Sequence, residues 1–181
     1  MIKSKKDLKE VITLEKQFYM PKRAAIENLV TSDNKSKIFK FIKLLRKTEY
    51  HHNNKGILHK FLYIVNRRKK NILGRKLGIE IWDNSFDSGL LIYHAGNIVV
   101  NGAAKIGKNC KLHGSNCIGN NGIKGNDCPI IGDNCRIGVG AKIIGNVRIA
   151  SNITIAAGAV VVDSFEEEGI TIGGVPARKI K

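Results

Sequence analysis

The chain has 181 residues, 43% hydrophobic and 25% charged, with a formal net charge of +16. That length allows one sizeable core with a small accessory segment, while its longest purely apolar runs, such as FLYIV at 61–65, fall far short of a membrane span. The charge is divided unevenly, residues 1–79 holding 21 Lys and Arg against 6 Asp and Glu and residues 80–181 holding 10 against 9, which separates a basic N-terminal part from a nearly neutral remainder.

The opening MIKSKKDLKE lacks the apolar core of a signal peptide, so a cytoplasmic protein is expected. Residues 1–73 then carry helical rhythm. In KSKIFKFIKLLRKTEY the apolar positions Ile38, Phe41, Ile42 and Leu45 recur at three and four residues, with lysines on the other side. KGILHKFLYIVNRRKK repeats the pattern with Leu58, Phe61, Leu62 and Val65. Two amphipathic helices joined near HHNNKG are predicted, preceded by helical turns within 5–30. The run RRKK at 67–70 reads as a solvated helix end, where cations suit the dipole. Its functional alternative is peripheral attraction of the basic helices to an anionic membrane, at the inner face for a cytoplasmic protein. Nucleic acid is not expected as a partner, because no recognition motif accompanies the charge.

From residue 74 to 181 the period is six. Aligned from residue 100 the chain reads VNGAAK, IGKNCK, LHGSNC, and from residue 131 IGDNCR, IGVGAK, IIGNVR, IASNIT, IAAGAV. An aliphatic residue opens every hexad: Val100, Ile106, Leu112, Ile118, then Ile131, Ile137, Ile143, Ile149, Ile155 and Val161. The fifth position is small or apolar at Ala104, Cys110, Cys135, Ala141, Val147, Ile153 and Ala159. Because side chains alternate along a strand, the first position and the fifth of the preceding hexad face the same narrow interior, and each rung completes its core by stacking on the next. Gly107, Gly132 and Gly138 follow the aliphatic residue, and Asn109 and Asn134 sit near corners where a positive φ is required. The fold class is therefore mainly β, a solenoid of short parallel strands behind an α-helical segment. Ile118 and Ile131 are 13 apart, so seven residues are inserted near 119–130, as a loop suited to carry function. The four cysteines, Cys110, Cys117, Cys128 and Cys135, form no CxxC pair and read as reduced, mostly buried thiols.

The hexads, the HAG followed by NIVVN, the GNNG loop and the terminal GGVPARKIK resemble the serine acetyltransferase family of hexapeptide-repeat acyltransferases, in particular the branch found with polysaccharide biosynthesis enzymes. The resemblance is strong over 74–181 and loose over the basic helices. It implies a left-handed parallel β-helix with three hexads per turn, a homotrimer, and sites for acetyl-CoA and an acceptor between subunits. It also implies that His94 in LIYHAGNIVV is the general base and that Glu80 in GIEI orients it. For coenzyme A it points to Gly140, Ala141 and Ala157 on the C-terminal rungs, with Arg178 and Lys179 meeting phosphates.

The chemistry asks for such residues. An alcohol is a poor nucleophile at neutral pH, and a histidine takes its proton as oxygen attacks the thioester, with a carboxylate fixing the tautomer. No metal is expected: a zinc site of three histidines is not available when the repeat region holds only His94 and His113. His113 in KLHGSNC follows an aliphatic position, points outward, and is a candidate to contact the acceptor. Where serine enzymes have an aspartate before the base and an arginine–histidine pair after the inserted loop, this chain has Tyr93, Asp127 and Cys128. That departure favours an uncharged hydroxyl on a sugar of a surface-polysaccharide or glycan precursor, with L-serine as the alternative acceptor. One tension stands in the pattern: carrying the hexad phase back from Val100 lands on His94 and predicts that it points inward.

Overall fold

The computed structural model describes residues 1–20, 33–122 and 127–181, in which three helices precede fourteen short strands. Helix α1 (Lys5–Tyr19) starts at a reciprocal cap, the Ser4 hydroxyl accepting from the Asp7 N–H and the Asp7 carboxylate accepting from the Ser4 N–H, both at 3.0 Å. The expected turns beyond residue 20 fall on 21–32, outside the described residues. Helix α2 (Asn34–His52) buries the predicted face, with Ile38, Phe41, Ile42 and Leu45 at most 1% exposed. No described helix is long and apolar enough to cross a membrane.

Helix α3 (Ile57–Leu77) corrects two expectations. It continues well past RRKK and stops at Gly78, whose φ of 65° is the left-handed conformation glycine adopts at a helix end without steric cost. RRKK thus lies inside the helix: Lys70 is buried and donates to the Ile81 carbonyl at 2.7 Å. The face holding Leu58 and Phe61 is not the one that packs, these residues being 66% and 61% exposed. The helix instead sets Lys70 and Gly74 against the first strand, Ile79–Ile81, where a Cβ on Gly74 would come within 2.4 Å of the Ile79 carbonyl oxygen. Periodicity identified an apolar stripe, and a different face took the contact, with Leu73 and Leu77 packed against the core beside Lys70 and Gly74.

From Ile79 onward the strands wind into a left-handed parallel β-helix with three sheets, closed by an antiparallel hairpin of Thr171–Gly174 with Ala177–Lys179. In-register partners lie 18 residues apart, as in Ile137↔Ile155 and Ile143↔Val161, which is three hexads per turn. Ile118↔Ile143 are 25 apart, the seven-residue insertion. The first and fifth positions of the hexads form one column of core with Phe41, Ile42 and Leu45 of α2, each fully buried aliphatic side chain contributing roughly 1.5–3 kcal/mol. Asn109, Asn134 and Asn152 hold φ of 56°, 57° and 64° at one corner and link side chain to side chain at 3.2 Å. Cys110, Cys128 and Cys135 are buried free thiols, and the hydrogen bond to Cys135, reinforced by burial, holds the Cys110 thiol well above its usual range.

The first coil of a solenoid leaves strand edges unpaired, and here the helices satisfy them. Buried Arg46 binds Glu15 and Glu49 and donates to the carbonyls of Phe86 and Asp87 at 2.9 and 2.6 Å. Glu15 accepts the N–H groups of Gly89 and Leu90, and Glu49 accepts that of Asn84. The Tyr19 hydroxyl accepts from the Ile92 N–H at 2.6 Å and donates to the Leu90 carbonyl at 3.2 Å.

Candidate active site

Strand Leu91–Ile92 pairs with Lys111–Leu112, and Ile92↔Leu112 are 20 apart, two more than a regular turn. The two extra residues fall at the corner Tyr93–Asn97, where Gly96 and Asn97 take φ of 111° and 50°. They end the hexad phase at Ile92, which is 1% exposed, and His94 is carried outward into solvent. The predicted inward direction is therefore wrong: the pattern assumed an unbroken repeat, and the corner bulges at the residue that matters.

One coil further on, His113 stands beside this bulge. Its ring stacks on Tyr93 with centroids 4.4 Å apart and planes at 27°. Partial burial, then the charges of Arg136, His94 and Lys111, hold the His113 imidazole below its ordinary range, so it is neutral near pH 7. Two residues unmarked by the sequence reading shape this corner. Gly114, with φ of 113°, leaves room that a Cβ would take, 3.3 Å from the His94 Cβ. Asn116, fully buried in a fifth position, accepts from the Gly114 N–H at 3.0 Å and donates to the Gly138 carbonyl at 2.7 Å, tying the corner to the next coil. The available signal was its polarity in LHGSNC, at a place where other hexads are small or apolar.

The same corner descends through Gly140, whose N–H donates to the Gly114 carbonyl at 2.9 Å, to exposed Ala157. Ala141 does not join this edge: it is 0% exposed and points into the coil, as its fifth position requires. Gly138 lacks a Cβ for packing reasons, since one would lie 2.6 Å from the Ala157 nitrogen of the next coil. Arg178 and Lys179 sit on the closing hairpin, each paired to an acidic neighbour, Asp163 at 2.8 Å and Glu167 at 2.7 Å. Asp127 is exposed at the end of the inserted loop, and Cys128 beside it is buried with its thiol pushed up by that burial, then by the charge of Asp127. Glu80 faces outward from the adjoining sheet, in register with Val99, and no hydrogen bond joins it to His94 within the chain. The structure thus brings His94, His113 and Tyr93 together, with Gly140 and Ala157 along one edge below them. An exposed imidazole beside a neutral, stacked one is suited to accept a proton from a bound hydroxyl.

No family model matches the chain. The chain is 31% identical over 133 residues to a serine acetyltransferase of Staphylococcus xylosus, covering 68% of this chain and 61% of that one. It is 34% identical over 99 residues to the serine acetyltransferase of Buchnera aphidicola from Schizaphis graminum, covering 54% and 38%. The aligned part spans less than half the length of that second relative and about three-fifths of the first. Among solved structures, Neisseria gonorrhoeae serine acetyltransferase in complex with serine superposes with a TM-score of 0.73 at 28% identity, over 98% of this chain and 71% of that one. A serine acetyltransferase complex with CoA does so with a TM-score of 0.75 at 23% identity, over 97% and 71%, a likeness of fold. These matches are to serine acetyltransferases, and the expected polysaccharide-biosynthesis branch finds no support among them.

Proposed function

We propose that this chain is an O-acetyltransferase that uses acetyl-CoA, with His94 as general base. The observation that carries the reading is the displaced corner, which exposes His94 beside the stacked Tyr93–His113 pair on a β-helix similar to that of serine acetyltransferases. The imidazole takes the acceptor hydroxyl proton as the oxygen attacks the thioester carbonyl. The tetrahedral intermediate then collapses, the C–S bond breaks, and the thiolate of CoA recovers the proton from the imidazolium. Transfer is direct, so none of the cysteines is needed.

In this reading Glu80 stabilises the imidazolium from the neighbouring sheet, and His113 with Tyr93 bounds the acceptor. The pantetheine arm runs along the Gly140 and Ala157 edge toward Arg178 and Lys179, which exchange part of their pairing with Asp163 and Glu167 for phosphate contacts. A homotrimer would set a second subunit against this edge. The relatives support L-serine as acceptor. A sugar hydroxyl is the second reading, favoured by acidic Asp127 and buried, neutral Cys128 at the positions where a cationic pair would grip an amino-acid carboxylate.

Release of free thiol from acetyl-CoA, followed with L-serine in one reaction and N-acetylglucosamine or nucleotide sugars in others, separates the two. Rapid turnover with serine alone establishes the first reading and ends the second. Thiol release with a sugar alone does the reverse, and acceptor-independent hydrolysis only would sink both.

A further inference from the structure

We propose that the cleft between α3 and the first coil binds an anionic sugar, a hexose bearing a phosphate or a carboxylate. Its use as the anchor for an acceptor whose reacting hydroxyl reaches past Asn97 to the His94, His113 and Tyr93 corner rests on the reading of His94 as base; its existence as a binding site does not. The cavity is about 440 Å³, which suits a substituted monosaccharide and exceeds what L-serine fills.

Its lining is built for an anion with hydroxyls. Arg67, Asn71 and Arg75 recur every fourth residue on one face of α3, Glu80 and Trp82 come from the first strand and its exit, and Asn97 comes from the corner that carries His94. Arg67 lies with its guanidinium carbon 4.9 Å from the Trp82 ring centroid and donates to the Tyr63 hydroxyl at 2.8 Å, which fixes the group in place and leaves further N–H donors free. The side chains of Asn71, Arg75, Glu80 and Asn97 are exposed and have no hydrogen-bond or ion-pair partner among the described residues. Lys70, the other cation on this face, is already spent on the Ile81 carbonyl. Two guanidiniums with donors to spare face a single carboxylate, a balance that attracts a phosphate or carboxylate and offers it forked hydrogen bonds. The two amides match sugar hydroxyls, which both donate and accept.

Trp82 is the one tryptophan in the chain, so its fluorescence reports on this cavity directly. The full chain is titrated with N-acetylglucosamine 1-phosphate, glucuronate, N-acetylglucosamine, inorganic phosphate and CoA. A saturable change is expected with at least one anionic sugar, weakened tenfold or more by Arg75→Gln and by Arg67→Gln, with circular dichroism showing that both variants keep their fold. The response distinguishes a phosphate source from a carboxylate source. The proposal is overturned by no saturable change with either anionic sugar, by affinity unaltered in Arg75→Gln, by inorganic phosphate binding as tightly as the best sugar, or by CoA competing with that sugar for the site. Thiol release is measured in parallel: binding without acetylation upholds the site and removes its acceptor role, whereas acetyl transfer without binding overturns the site and leaves the proposed activity standing.

Discussion

The helical segment and the β-helix are held by opposite means. In the coils, order comes from repetition: aliphatic side chains such as Leu112, Ile137 and Ile155 stack in register, and each coil needs only its neighbours. In the helices, a buried arginine, two buried glutamates and a tyrosine hydroxyl reach across to the backbone of the first coil. The first arrangement tolerates no interruption without a visible insertion. The second is invisible to periodicity, because each contact is made once. The difference teaches where the candidate chemistry sits, since His94 follows the strand that the Tyr19 hydroxyl holds, at a place where the repeat is interrupted.

Four variants sharpen or break this contrast. His94→Asn is expected to slow acetyl transfer by about 10²- to 10⁴-fold with an unchanged unfolding midpoint; near-normal turnover would remove the base from the corner. Arg46→Met leaves Glu15 and Glu49 buried without their cation, and chemical denaturation is expected to show a loss of about 3–5 kcal/mol; a neutral result would mean that the helices are held by apolar packing, like the coils. Ile137→Ala opens a cavity in the stack and is expected to cost about 2–5 kcal/mol by the same measurement, with the His113 amide shift moved, because its N–H donates to the Ile137 carbonyl at 3.0 Å, and shifts two coils away little changed if coupling stays between neighbouring coils. The smallest effect belongs to Arg136→Met. Removing this cation favours the imidazolium, so the His113 pKa should rise toward its ordinary value when followed by NMR titration; a fixed or falling value would show that the charge is not felt there.

Much of the fold was legible from spacing. The hexads placed every core aliphatic from Val100 to Val161, and the 13-residue step from Ile118 to Ile131 located the insertion. The face of α2 followed from its period as well. The face of α3 did not, because Gly74 and Lys70 carry no hydrophobic signal and yet define the close contact. At the candidate site, His94, His113 and Tyr93 were identifiable as residue types, but the extrapolated phase of His94 pointed inward and Ala141 was assigned to an edge it does not reach. Asn116 and Gly114 were overlooked, since a buried asparagine and a corner glycine acquire meaning only from the coil below.

By itself the sequence determined the periodic part: a six-residue alternation specifies which side chains face inward, and stacking of identical rungs adds no further choice. Only the tertiary structure decided the aperiodic part. The two extra residues at Tyr93–Asn97 turn His94 out to solvent because a corner can bulge while the strands on either side keep their register. The cleft beneath α3 likewise exists because helix and coil meet across Gly74 and Gly78, which brings Arg67 and Arg75 to one wall and Trp82 and Asn97 to the other. Short-range patterns encode the repeat, and contacts between distant segments encode the sites.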